Sequence, residues 1–494
     1  MIWQLRRLIA SLLSLSVGLA GTGCVGTNRL PPVESSGEAL IAAFPVAGGG
    51  VVGALNVSDL CAGVVGVGPV GSGVVRRPGV SVGEVQAALN AAQPGDVVEV
   101  GAGSYDGSLV FSSSGVAGSP IVVRAVGQVV WSGGSFTFTG SYVTVTGFVV
   151  TSRVGNFVDV MGRSHDVRLH RFTFAGTGSG ADGSSTGVVR IEGDPSWSSD
   201  IMAVNPLPIA IVRNVVVDQN SFNQPANTPL WVMHGAQGVR FCHNTITGPH
   251  GIGGGETMAI KFGYGQGFSE DASATVAYNT ITNWSGSPYV VGIKMSGVAL
   301  IGNLIGNGRV EIRAADRVRI VANVIANGDL HVGGSGHVIT GNYVRTVNDK
   351  DGFGPFMMYV TSGQAPYDGK PLWFIHVFEN SVVSNNTFFN TSTSRGFGVV
   401  MAHGYFPITT TRPHGNIFTG NAFVSANTGS PVGACNIIWD SGHNANTTQL
   451  IAENTWTANT LTCPTTPTLT LPNNTTTNTN TNPPQPATLP RIHA

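Results

Sequence analysis

Two spacings of apolar residues divide this 494-residue chain, one helical and brief, the other strand-like and long. In "SVGEVQAALNAAQPGD", from Ser81 to Asp96, Val85, Ala88, Leu89 and Ala92 fall on one face of a short helix over 83–92. Pro94-Gly95 stops it. "VVEV" follows as a strand, and beyond it helical spacing nearly vanishes. Short Val/Ile/Phe-rich runs alternate instead with Gly, Asn and Ser turns.

The runs share a signature of alternating apolar residues, then Asn, one further residue, and another apolar. The Asn is Asn220 in "VVVDQNSF", Asn244 in "VRFCHNTI", Asn279 in "TVAYNTI" and Asn303 in "VALIGNLI". It recurs as Asn323 in "VRIVANVI", Asn342 in "HVITGNYV", Asn386 in "SVVSNNTF" and Asn421 in "NIFTGNAF". The spacings are 24, 35, 24, 20, 19, 44 and 35 residues. A base period of 20–24 with insertions marks a solenoid. Strand-dominated coils of that length predict an all-β fold, a single-stranded right-handed parallel β-helix. Each coil rises by one strand spacing, ~4.8 Å. Stacked asparagines then form an internal hydrogen-bonded ladder, and the 83–92 helix covers the open N-terminal end. Turn chemistry alone favours Asn, but does not account for eight recurrences in one context.

The solenoid is expected over 79–463. Residues 1–24 read as an export signal, with a cationic start in "MIWQLRR", an apolar stretch in "LIASLLSLSVGLA" and small residues in "GTGC". That stretch is short and wrongly flanked for a membrane span. Cys24 is a candidate lipid anchor, with cleavage near Ala20 as the alternative, since Gly21 stands where a lipoprotein signal usually has Leu. The expected location is therefore secreted, periplasmic or outer-membrane lipoprotein. Residues 25–78 are Gly/Val-rich without clear periodicity. Residues 464–494 form a Thr/Asn/Pro tail too polar to bury a core, read as disordered.

Export permits disulfides. Cys435 and Cys463 bracket the last ordered-looking segment and are the preferred pair, although connectivity does not follow from sequence. Charged residues make up 10% of the chain, against roughly 25% in an ordinary globular protein. Net charge is −1, so nothing draws polyanions to the whole surface, and nucleic acid is not an expected partner. The chain is expected to be a monomer.

Against that background the cations of the coils stand out. Ten residues before Asn244 is His234, nine before Asn303 is Lys294, ten before Asn323 is Arg313, and eleven before Asn342 is His331. Lys261, in "AIKF", has the same local context. Each follows an apolar residue and so points outward by strand alternation. Counting thus puts His234, Lys261, Lys294, Arg313 and His331 in one column. Like charges ~5 Å apart repel by about a kcal/mol or more. Carboxylates two residues away, Glu311 and Asp329, allow a purely structural ion-pair reading. The functional reading is a track for an extended anionic polysaccharide, a polyuronate. Such chains are cut by β-elimination, which needs a base, charge stabilisation at the carboxylate and an acid for the leaving oxygen. A lysine among cations gives up its proton more readily. Lys294 and Arg313, on adjacent coils, can converge on one sugar.

These residues resemble polysaccharide lyase family 6, the chondroitinase B-like and alginate lyase group, over roughly 80–463. "SVGEVQAALNAAQPGDVVEVGAGSY", "GSPIVVRAVG" and "GSYVTVTGFVVT" look like its opening coils. "NSFNQPANTPLWVMHGAQGVRFCHNTITGPHGIGGGETMAIKFG" looks like its middle and "GGSGHVITGNYV" like a later coil. The resemblance implies Lys294 as base and Arg313 as acid. It also implies calcium, held by one Asn and two Glu, but those places carry Gly253, Ser287 and Tyr289 here. Calcium needs several oxygen ligands, usually with carboxylates, so neither metal nor cofactor is expected. Lys261 stands where the family has an arginine in "IRIG", and His331 replaces a later one. Glu256 survives from the metal motif and would orient a basic residue. Lys261, His331, His234, Glu256, Tyr289 and His403 are the expected substrate-binding residues. Insertions at 345–375 and 395–412, with Tyr359, Tyr367, Trp373 and His403, would wall the groove. A non-catalytic polysaccharide-binding β-helix and a uronate epimerase are the alternatives. A hydrolase would need paired carboxylates near the bond, and no Asp pair shares a strand of the column.

Overall fold

The computed structural model describes Cys61 and residues 73–151, 155–176, 187–193, 211–225, 227–248, 257–263, 271–284, 289–313, 315–346, 356–360, 377–391, 399–403, 413–425, 438–440, 451–462 and 476–478. For 357–360, 399–403, 438–440 and 476–478 only the backbone is described. The export signal, Cys24, Cys435, Cys463, Gly253, Glu256, Ser287, Tyr367 and Trp373 lie outside the described residues.

Strands of successive coils stack in parallel register into a 26-stranded and a 12-stranded sheet. The fold is a right-handed parallel β-helix. Inward positions fill its interior with stacked rings and branched aliphatics. Phe172 and Phe174 lie 5.3 Å apart and Phe174 and Phe222 4.7 Å apart, centroid to centroid. Each such buried side chain contributes about 1.5–3 kcal/mol.

The asparagine ladder is present. From Asn244 on, each Oδ1 accepts from the backbone N–H and the Nδ2 of the asparagine one coil earlier, as Asn303 does for Asn279 at 3.0 and 2.9 Å. The chain of Nδ2→Oδ1 bonds runs without a break from Asn220 to Asn421 and on to Asn459. The residue before each of these asparagines turns the corner at positive φ, from 52° at Ala458 to 65° at Gly341. Gly302, Gly341 and Gly420 take that conformation without cost.

The Val82–Asn90 helix begins in a Ser81/Glu84 capping box and buries Val85 and Leu89 against the first coils. Its Gln86 side chain satisfies the end strand Leu109–Phe111, accepting from the Val110 N–H at 2.8 Å and donating to the Val110 carbonyl at 2.9 Å. The solenoid's open edge is thereby closed by a side chain.

Both boundaries extend beyond the expected ones. Val75–Arg76 pairs with Val97–Val98, so the solenoid starts before residue 79. Thr476–Asn478 pairs with Thr460–Thr462, inside the stretch read as disordered. Thr476, Thr477 and Asn478 are all polar and lack the apolar/polar alternation of a half-buried strand, and the exposed rung of the last coil supplies the partner.

Cys61 is disulfide-bonded to Cys242, a link across 181 residues. Cys242 heads an apolar stripe on the outside of the solenoid, continued on successive coils by Ala277, Ile301 and Val321, all buried, with Cys61 against it. Closing so long a loop stabilises by about 2–5 kcal/mol in the chain-entropy picture. Reduction, or Cys242→Ser, is expected to lower the free energy of unfolding by that amount, and the urea midpoint with it. Urea melts with and without dithiothreitol check this, and superimposable curves would refute it.

Candidate functional site

The charged residues lie on the outer face of the 12-stranded sheet. Five consecutive strands matter: Thr228–Val232, Ile260–Phe262, Tyr289–Ile293, Arg309–Ile312 and Leu330–Val332. Their register stacks Trp231, Lys261, Gly292, Glu311 and His331 in one outward row. Two residues further on, just past the strand ends, the backbone bonds continue. Gly263 donates to Val232, Lys294 to Phe262, Arg313 to Ile293 and Gly333 to Ile312. This second row holds Met233, Gly263, Lys294, Arg313 and Gly333.

The single column is therefore corrected to two adjacent rows. Lys261 and His331 occupy the first, Lys294 and Arg313 the second. His234 belongs to neither, standing one residue beyond Met233, with its carbonyl accepting from Gly193. Counting back from the asparagines assumes equal turns. Nine and eleven residues differ by two, which keeps the outward face but moves one step along the strand. Lys294 and Arg313 do stand side by side on adjacent coils, as counted.

Nor is the face a bare cationic track. Asp159 and Arg190 precede Trp231 in the first row, bonded at 2.7 Å, and Glu192 lies 3.4 Å from Arg190. Burial pushes the Asp159 carboxyl up, against the pull of Arg190. Arg313 Nε meets Glu311 Oε2 at 2.8 Å. Arg309 holds Asp329 through two bonds, at 2.8 and 3.2 Å, and His331 Nε2 lies 3.2 Å from the same carboxylate. Burial opposes ionisation of Asp329, yet His331 and Arg309 hold it well below the usual carboxylate range. Burial pushes the His331 imidazole down, with Asp329 pulling the other way. His331 is 0% exposed. Its ring lies against Asp329 within the row.

Lys261 is 2% exposed and Lys294 6%. Lys261 Nζ lies over the Trp231 ring, 5.1 Å from its centroid, a desolvated cation–π contact. Trp231 was not singled out from sequence, although it shares the alternation of Lys261 on the preceding coil. Tyr289 lies against both Arg309 and Arg313, each 5.4 Å from its centroid, and its hydroxyl accepts from Arg313 at 3.2 Å. At the one described position of the family's calcium set, Tyr289, two guanidinium groups lie against the ring and no carboxylate is offered. The backbone register sets His403 against Val360, one residue past the continuation of the Lys294 row through Tyr359 and Ala402. The described residues thus bring Lys261, Lys294, Arg313 and Tyr289 onto one face.

No family model matches the sequence, and no curated protein matches it. The fold has clear counterparts among solved structures. One is a mannuronic acid specific polysaccharide family 6 lyase from human gut microbiota, with a TM-score of 0.61 at 18% identity, over 82% of this chain and 90% of that one. Another is the PL6 family alginate lyase AlyGC, with a TM-score of 0.64 at 16% identity, over 82% of this chain. This chain spans about half of that enzyme, 53% of its length. A third, a PL6 alginate lyase in complex with a trisaccharide, aligns with a TM-score of 0.54 at 15% identity, over 79% of this chain and 85% of that one. The protein has the fold of the polysaccharide lyase family 6 structures.

Proposed function

We propose that this protein is an exported polysaccharide lyase that cuts a uronate-containing polysaccharide, alginate first and a dermatan sulfate-type glycosaminoglycan next, by β-elimination without calcium. The observation that carries the reading is Lys294 beside Arg313 on adjacent coils of the outer face. A lysine shut away from water beside a guanidinium is the setting in which an amine works as a base. Lys294 Nζ takes the proton alpha to the carboxylate. That C–H electron pair forms the new carbon–carbon double bond as the glycosidic C–O bond breaks, and the departing oxygen takes a proton from Arg313. In this reading Lys261, held over Trp231, neutralises the substrate carboxylate, the part calcium would otherwise supply. The alginate preference follows the PL6 structures that share the fold, two of them alginate lyases and one mannuronic acid specific.

The test is incubation with alginate, pectate and dermatan sulfate, with and without EDTA, following absorbance of the unsaturated uronate. Absorbance is expected to rise with alginate and to survive EDTA. Complete loss in EDTA sinks the calcium-free part. Binding of all three without any rise replaces the lyase by a binding β-helix, and altered uronate composition without cleavage replaces it by an epimerase.

A further inference from the structure

We propose that Tyr289 is a positioning residue which, with Glu311, sets where the guanidinium of Arg313 points. The activity readout rests on the lyase reading above; the geometry does not. Arg313 follows directly on the Arg309–Ile312 strand, and an arginine side chain carries about 2 kcal/mol of rotamer entropy. Here three contacts restrain it. Nε meets Glu311 at 2.8 Å, an Nη donates to the Tyr289 hydroxyl at 3.2 Å, and the guanidinium lies over the Tyr289 ring. Glu311 comes from Arg313's own strand and Tyr289 from the preceding coil, so the head is held from two directions.

Tyr289 is placed by a local irregularity. It pairs with Arg309, while Val291 pairs with Val310, so Val290 is an extra residue in the strand. Such a bulge re-aims the side chains beside it. Gly292, opposite Glu311, leaves the row between Tyr289 and Lys294 without a side chain. A Cβ there would lie 2.2 Å from Met258 Sδ. On the far side, Arg309 sits over the same ring and is itself fixed on Asp329. The ring is therefore braced by one guanidinium and braces the other.

Two readouts test this. In the lyase assay, Tyr289→Phe keeps the ring and loses the hydroxyl bond, so kcat should fall about 5-fold with KM unchanged. Tyr289→Ala should lower kcat about 100-fold. Guanidinium chloride should restore part of the activity of Arg313→Ala, but not of the Arg313→Ala/Tyr289→Ala double variant. A rise in KM with kcat intact would overturn the positioning role and make Tyr289 a substrate contact. The second readout needs no substrate. In protein carrying 15N-arginine, the Arg313 guanidinium signals should show restricted rotation, relaxed in Tyr289→Phe and in Glu311→Gln. Signals unchanged by both substitutions overturn the proposal. Restricted signals that the substitutions relax, in a protein that cuts no uronate, support the positioning and sink the lyase reading alone.

Discussion

Lys294→Ala is expected to lower the rate of unsaturated-uronate formation at least about 1000-fold, within the range for loss of a general base. Lys294→Arg should be nearly as inactive. It keeps the charge and much of the length, but a guanidinium rests fully protonated at the assay pH and so has no lone pair with which to take a proton. The pair of variants separates two roles that one alanine leaves merged. If Lys294 only neutralised charge, arginine would serve and activity would return to within about 3-fold. Initial rates with saturating alginate, alongside calorimetric titration with an alginate oligomer, make the distinction. Oligomer affinity should change less than 10-fold in both variants, because Lys261 and Arg313 remain. Full activity in Lys294→Arg would remove Lys294 as the base.

The largest stability effect is expected away from the site, at Asn303→Ala. Asn303 Oδ1 accepts the backbone N–H and the Nδ2 of Asn279, while its Nδ2 donates to the Val276 carbonyl and to Asn323 Oδ1. Alanine removes all four bonds and leaves donors and an acceptor inside the solenoid. Each orphaned group costs about 1–3 kcal/mol. A total of about 3–5 kcal/mol is expected, because neighbouring coils relax and such losses do not add in full. Urea unfolding checks the size. A change under 1 kcal/mol would mean that the ladder is decoration on turns that hold themselves.

The architecture was legible because it is written locally. Every ladder asparagine sits in its own short context, and the left-handed residue before it is its chain neighbour, as in His243-Asn244 or Tyr278-Asn279. The adjacency of Lys294 and Arg313 was legible for the same reason, one short coil apart. Registers that pass through unequal turns were not. His331 and His234 were counted through different corners, and the count cannot distinguish a step along a strand from a step between coils. The carboxylates that answer the cations were visible in part: Glu311 and Asp329 lie two residues from their partners, whereas Asp159 meets Arg190 across 31 residues. The Cys61–Cys242 link left no local trace, since its partners lie 181 residues apart and one falls in a stretch without periodicity.

The spine of asparagines has one more consequence. Asn323 and Asn342, 19 residues apart, share an Nδ2→Oδ1 bond of 3.0 Å, and Asn342 and Asn386, 44 residues apart, share one of 2.9 Å. The added chain is spliced in without altering the join. Whatever lengthens a coil is therefore free to vary in sequence and extent while the rungs above and below keep their places. Coils can be lengthened one at a time, so a lineage built on this spine can change its outer surface without learning to fold again.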